Sequence, residues 1–164
     1  LGDVYKRQEA NSNPVEALAE LAPVIDAIHA KYADVTNENI GIGSTIFAVK
    51  PGDGSAREQA ASCQKVLGGW ANIANEYATK RYRSNLINWG MLPFLIEKGD
   101  LPFATGDYIF LPDVRKAVET KAAEFEAYVV KDGSLTPFAL KMGELTDDER
   151  EIILKGCLIN YNRQ

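Results

Sequence analysis

Short apolar runs rich in β-branched residues alternate with stretches of helical periodicity, and an Asp-Gly dipeptide separates two further apolar runs; together these predict a layered α/β domain. The chain has 164 residues, 46% hydrophobic and 25% charged, an ordinary globular balance that suits one domain with a real core rather than two.

The elements follow in order. Residues Leu1 to Gln8 fit no pattern that follows and are read as a non-native leader, leaving residues 9–164 as a single domain, a fragment of a longer chain. Asn11 to Pro14 form a helix start, and Leu18, Leu21, Ala22, Ile25, Ile28 and Tyr32 recur at three- and four-residue spacing as one apolar face that fades near Asp34. His29, the single histidine, flanks that face in a packing or surface role. Gly41-Ile42-Gly43 marks a turn before Ser44 to Val49, which reads as a buried strand ending in the sharp turn Lys50-Pro51-Gly52-Asp53-Gly54. A helix is expected over Ser55 to Val66, a strand over Trp70 to Ala74, and a helix from Tyr77 to Trp89 stopped by Gly90. Trp70 and Trp89 are taken as core packing.

Leu92 to Ile96 is a strand in which Pro93 indicates an edge or a strand start. Gly99 to Gly106 is a loop, Tyr108 to Leu111 a short strand, and Pro112 to Ala122 a helix with proline in its first turn. Asp132-Gly133 joins Phe125–Val130 to Leu135–Lys141 as a hairpin, with Pro137 implying an edge or a bulge. Thr146 and Glu149 have capping-box spacing ahead of a last helix with Ile153, Leu154, Cys157, Leu158 and Tyr161 on one face, which places Cys157 in the core.

Composition narrows function. A formal charge of −5 and a pI near 5.0 disfavour a general nucleic-acid binder. No uncharged apolar stretch reaches the length of about 18 residues that spans a bilayer, and the start lacks the pattern of a signal peptide. Cys63 and Cys157 stand far apart and outside any CxxC, so they hold no metal alone, and a reduced, cytosolic setting is expected.

The chemistry concentrates in Gly52-Asp53-Gly54-Ser55-Ala56-Arg57-Glu58-Gln59, between a strand and a helix. Ser55 and Glu58 have capping-box spacing, which puts Ser55 at the N-cap. A helix start presents unpaired N–H groups and a positive dipole end, a natural carboxylate or phosphate site, and Arg57 would add a bidentate clamp. A serine at such a position also has a purely structural reading, as a cap. The loop is neither a P-loop nor a G-x-S-x-G elbow, since Arg57 stands where the elbow needs glycine.

Gly52 to Ala61 resembles the G-x-G-S-S-R-E-H/Q-A-A stretch of aconitases, homoaconitases and isopropylmalate isomerases. Leu67 to Ala74 is similar to that family's L-G-x-R-A-V-I-A, Arg83 to Phe94 to its x-x-N-L-x-x-x-G-L-L-P-L, and Leu145 to Tyr161 to the L-T-x-x-E-R-x-I-L-x-A-G-G-L-L-N-Y tail of single-chain members. The resemblance runs from about Ser44 to Tyr161 with four motifs in order.

It implies the C-terminal swivelling domain of an aconitase-type hydro-lyase, a three-layer β/β/α fold with a mixed sheet and flanking helices. It implies reversible dehydration of a hydroxy-polycarboxylate, citrate, cis-aconitate and isocitrate being the type case. A [4Fe–4S] cluster would be held by three cysteines of other, N-terminal domains of the same protein, its open iron acting as Lewis acid, so this chain alone is expected to be inactive. By the same resemblance Ser55 is the catalytic serine, acting as alkoxide, and Ala56 and Arg57 bind substrate, Arg57 through a carboxylate. Two departures stand out: Ala56 replaces a second serine and Gln59 the commoner histidine. The first opens homoaconitate, methylaconitate or isopropylmalate as alternative substrates. Arg81 and Arg83 are candidates for added positive potential near the loop. The compartment implied is cytoplasmic, or the mitochondrial matrix in a eukaryote, and the rival class is a non-catalytic RNA-binding or structural module.

Overall fold

The computed structural model describes residues 19–163; the proposed leader, the helix start at residues 11–14 and Leu18 lie outside them. The chain is mixed α/β, with six strands in the hydrogen-bonded order β1-β2-β3-β6-β5-β4 and flanking helices. Its residues fall into two compact units, each assembled from separate stretches of chain.

The first unit takes the described residues up to Ile42, with 100–112 and 126–138. Helix α1 (Ala22–Lys31) follows a 3₁₀ turn at Ala19–Leu21 and has proline in its first turn, where a missing N–H costs nothing. The apolar periodicity holds at Leu21 and Ile28, which are buried, but Ala22 is exposed. Ala27 and Ile28 pack against Phe110, Tyr128 and Val130 of β4 (Tyr108–Phe110) and β5 (Glu124–Lys131). The Tyr32 ring meets Phe110 and Tyr128 edge-on at 5.4 and 5.9 Å. Its hydroxyl donates to that of Tyr128 at 3.0 Å, and Tyr128 donates onward to Glu126. His29 is half-buried, its Nε2 buried without a partner among the described residues, in keeping with packing. β4 runs antiparallel to β5. Asp132 and Gly133 adopt φ of 49° and 76°, the pair of positive values that a two-residue I′ hairpin turn needs before β6 (Ser134–Lys141).

The second unit takes 43–99, 113–125 and the described residues from 139 on. Strands β1 (Ser44–Ala48), β2 (Gly69–Ala74) and β3 (Leu92–Leu95) are parallel, joined by helices α2 (Arg57–Val66) and α3 (Lys80–Asn88), and β3 meets β6 antiparallel at Leu95↔Lys141. Pro93 is the second residue of β3, a strand start rather than an edge. Ala61, Tyr82, Leu86 and Met91 form a buried cluster, with Tyr77 and Trp89 against it.

Several expectations are corrected. β1 ends the strand order with β2 as its one neighbour, so it is not a buried strand: Ser44, Thr45 and Ile46 are exposed. Trp70 is 49% exposed rather than core, whereas Trp89 is packed as expected. α3 begins at Lys80 because Thr79 caps it, so Tyr77 precedes the helix, its hydroxyl donating to the Asn72 and Phe94 carbonyls. Helix α4 (Val114–Glu119) opens from Asp113 at φ 47°, leaving Pro112 outside it. The Thr146–Glu149 capping box is present, with both reciprocal bonds, at 2.9 and 3.2 Å. The last helix, however, breaks at Gly156 (φ 90°) into α5 (Asp147–Leu154) and α6 (Leu158–Asn162), and Cys157 becomes the half-buried residue between them rather than core.

Candidate functional site

The loop leaving β1 is shaped by one close approach. Gly52 has φ 97°, and a Cβ there would meet the Tyr82 side chain at 2.5 Å, so both backbone and packing demand glycine. Gly54, by contrast, borders open space.

Helix α2 takes its N-cap at Ala56, with no side-chain cap, one residue later than the serine-capped start expected from Ser55 and Glu58. With Arg57 as the first helical residue, Glu58 sits in the second position, where it cannot complete a box with Ser55. Its carboxylate instead accepts the Trp89 indole N–H at 3.1 Å. Ser55 is exposed, and its hydroxyl makes no hydrogen bond among the described residues. The first helical backbone bond runs from Ala60 N–H to the Ala56 carbonyl at 3.0 Å. The N–H groups of Arg57, Glu58 and Gln59 are therefore left at the positive end of a ten-residue helix with no side chain on them.

Arg57 folds back on its own loop. Its Nε–H donates to the Gly52 carbonyl at 3.1 Å and an Nη2–H to the Asp53 carbonyl at 3.4 Å. Of five guanidinium N–H groups these bonds use two, leaving three for a ligand. Gly52, Asp53, Gly54, Ser55, Ala56, Arg57 and Ala60 line one open depression of about 380 Å³. The structure thus brings together Ser55, Ala56 and Arg57, the residues the sequence singles out.

Two nearby cations are engaged elsewhere among the described residues. Lys50 pairs with Glu76 at 2.8 Å. Arg83 donates to the Met142 and Glu144 carbonyls at 3.4 and 2.7 Å and lies 3.7 Å from Glu149, so its side chain fastens the segment before α5. Arg81 is an exposed residue of α3. Sequence reasoning missed Thr79, whose hydroxyl donates to the Gly52 carbonyl at 3.0 Å. A threonine just ahead of Lys80 was a readable N-cap signal, but its reach to a loop 27 residues away was not.

A strand, a Gly-x-Gly turn and a helix start follow one another as the Gly52–Ala61 motif led one to expect, with the N-cap at Ala56 instead of Ser55. The sequence model of the aconitase C-terminal domain matches residues 7–99, more than half of the 164-residue chain. The chain belongs to the aconitase C-terminal domain family. Comparison with curated proteins gives no match. Membership makes this an aconitase-type hydro-lyase domain, and its mixed sheet with flanking helices is consistent with that family's fold. The [4Fe–4S] cluster normal to the family finds no ligand set here. Among the described residues no three His, Cys, Asp or Glu side chains converge as metal ligands, and the chain's two cysteines fall short of three thiolates.

Proposed function

We propose that this domain supplies the base and a carboxylate clamp to the reversible dehydration of a tricarboxylate, citrate and isocitrate interconverting through cis-aconitate. The cluster-bearing domains of the same protein complete the site in this reading. The observation that carries it is the exposed Ser55 hydroxyl, not engaged as a cap, beside three uncapped helix N–H groups and Arg57 on one depression. A serine hydroxyl is too weakly acidic to ionise unaided at neutral pH. In this reading the free N–H groups of the helix start and of Arg57 stabilise the alkoxide electrostatically. The alkoxide takes the proton from the carbon next to a carboxylate. The C–H electron pair becomes the new double bond, and the hydroxyl leaves the adjacent carbon with the C–O pair as hydroxide, for which a cluster on the other domains would supply the Lewis acid. Rehydration reverses these steps. Arg57 fixes a substrate carboxylate through its remaining N–H groups, so that the C–H lies within reach of Ser55.

Ala56 favours a second reading at the level of substrate. It occupies the N-cap and offers only its backbone where the family's usual serine adds a hydroxyl, so homoaconitate, methylaconitate or isopropylmalate belongs in the substrate panel.

The test is steady-state turnover of the protein assembled with its cluster-bearing domains, read by ultraviolet absorbance of the unsaturated intermediate. Ser55→Ala should lower kcat by about 10²–10⁴-fold, the range of a lost general base. Its melting temperature should stay at the wild-type value, because the hydroxyl caps nothing. Near-normal turnover in this variant would refute Ser55 as the base.

A further inference from the structure

We infer that Thr79 is a positioning residue for the Arg57 clamp; the inference rests on the tricarboxylate reading above. The Gly52 carbonyl oxygen receives two donors, Arg57 Nε–H at 3.1 Å and Thr79 Oγ1–H at 3.0 Å, which fill both of its lone pairs. The Thr79 oxygen in turn accepts the Tyr82 N–H at 3.2 Å as the cap of α3. Tyr82 occupies the space a side chain at Gly52 would need, and its own hydroxyl accepts from Gln64 at 2.9 Å and Asn72 at 2.8 Å. Two backbone bonds, Glu76 N–H to the Val49 carbonyl at 3.1 Å and Ala78 N–H to the Pro51 carbonyl at 2.9 Å, lay the segment before α3 alongside the loop. Thr79 continues that strap to the Gly52 carbonyl, one of the two that hold the guanidinium and the one that takes its Nε–H.

The physical consequence is a division of labour. Removing the hydroxyl leaves Arg57 charged but frees the Gly52 carbonyl that sets its angle. Attraction for a carboxylate persists while the pairing geometry degrades. The substrate should then bind less well, with the proton-transfer step at Ser55 little altered.

The experiment compares Thr79→Ala, Thr79→Ser and Thr146→Ala in the protein assembled with its cluster-bearing domains, using citrate as substrate. Thr79→Ser keeps both the cap and the donor. Thr146→Ala removes an equivalent cap from α5 without touching the loop. Thr79→Ala should raise KM about tenfold, the effect of one lost hydrogen bond, with kcat within about threefold of wild type. Thr79→Ser should restore the wild-type KM, and Thr146→Ala should keep it despite a comparable fall in melting temperature. A second readout needs no turnover. The Arg57 Nε–H resonance, assigned by its loss in Arg57→Lys, should exchange slowly in wild type and quickly in Thr79→Ala. Equal KM values in Thr79→Ala and Thr146→Ala, or unchanged Nε–H exchange, would overturn the inference. If wild type fails to turn over citrate, the tricarboxylate reading falls, and the exchange measurement still decides whether Thr79 orients Arg57.

Discussion

Ser55 lies one residue before the N-cap of α2, and that single step separates a cap from an available hydroxyl. The motif residues Ser55, Ala56 and Arg57 are legible in the sequence because they are contiguous. The position of the cap is not, because Ser-x-x-Glu reads alike in both registers. The Glu58 carboxylate that a Ser55 box would use is instead bonded to the Trp89 indole, 31 residues on. Elsewhere at this scale, burial and the bond to Tyr128 push the Tyr32 hydroxyl up to about 12, with Glu126 adding to the rise and Lys31 opposing it. The folded value lies above the ordinary 10, so the protonated form is favoured by folding. The associated stability is complete below about pH 10 and is lost as pH climbs toward about 12. Denaturant midpoints measured across that window should therefore fall more steeply for wild type than for Tyr32→Phe, which has no proton to lose. Parallel curves would remove Tyr32 from the alkaline transition.

At the level of elements, the features set by local chemistry were readable and those set by neighbours were not. The hairpin at Asp132-Gly133 and the stop at Gly90 follow from positive φ, and the α5 capping box from two side chains three residues apart. The exposure of β1 depends on its place in the strand order, which its apolar composition cannot express. The late start of α3 depends on Thr79 competing with the helical pattern that begins at Tyr77. Glycines that look alike in sequence also differ. Gly133 (φ 76°) has nothing within 4 Å of a Cβ position, whereas a Cβ at Gly90 (φ 71°) would collide with the Gly156 carbonyl. Gly133→Ala should cost about 1–2 kcal/mol from backbone strain alone. Gly90→Ala should cost more than about 3 kcal/mol, since two backbone segments must part. Chemical denaturation of the two variants side by side checks the order, and equal losses would contradict it.

On the scale of the whole molecule, the order of residues along the chain and their order in space diverge. The fold class was legible because alternation of helix and strand survives in one dimension. The division into two units was not, because each draws on three separate stretches. The matched region ends at Gly99, yet the unit containing β1–β3 also takes residues 113–125 and the described residues from 139 on. Cutting the chain after Gly99 would strip Leu95 of its partner Lys141 and Phe94 of the Phe125 ring 5.3 Å away, and would remove both carbonyl acceptors of Arg83. Such a truncation should give no cooperative melting transition and should expose apolar surface to a hydrophobic dye; a sharp transition would show that these later contacts are dispensable. During synthesis, then, the Ser55 loop and the Glu76–Tyr82 segment it rests on are both made well before β6, which pairs with β3. The last quarter of the chain must return before the first half has a finished scaffold.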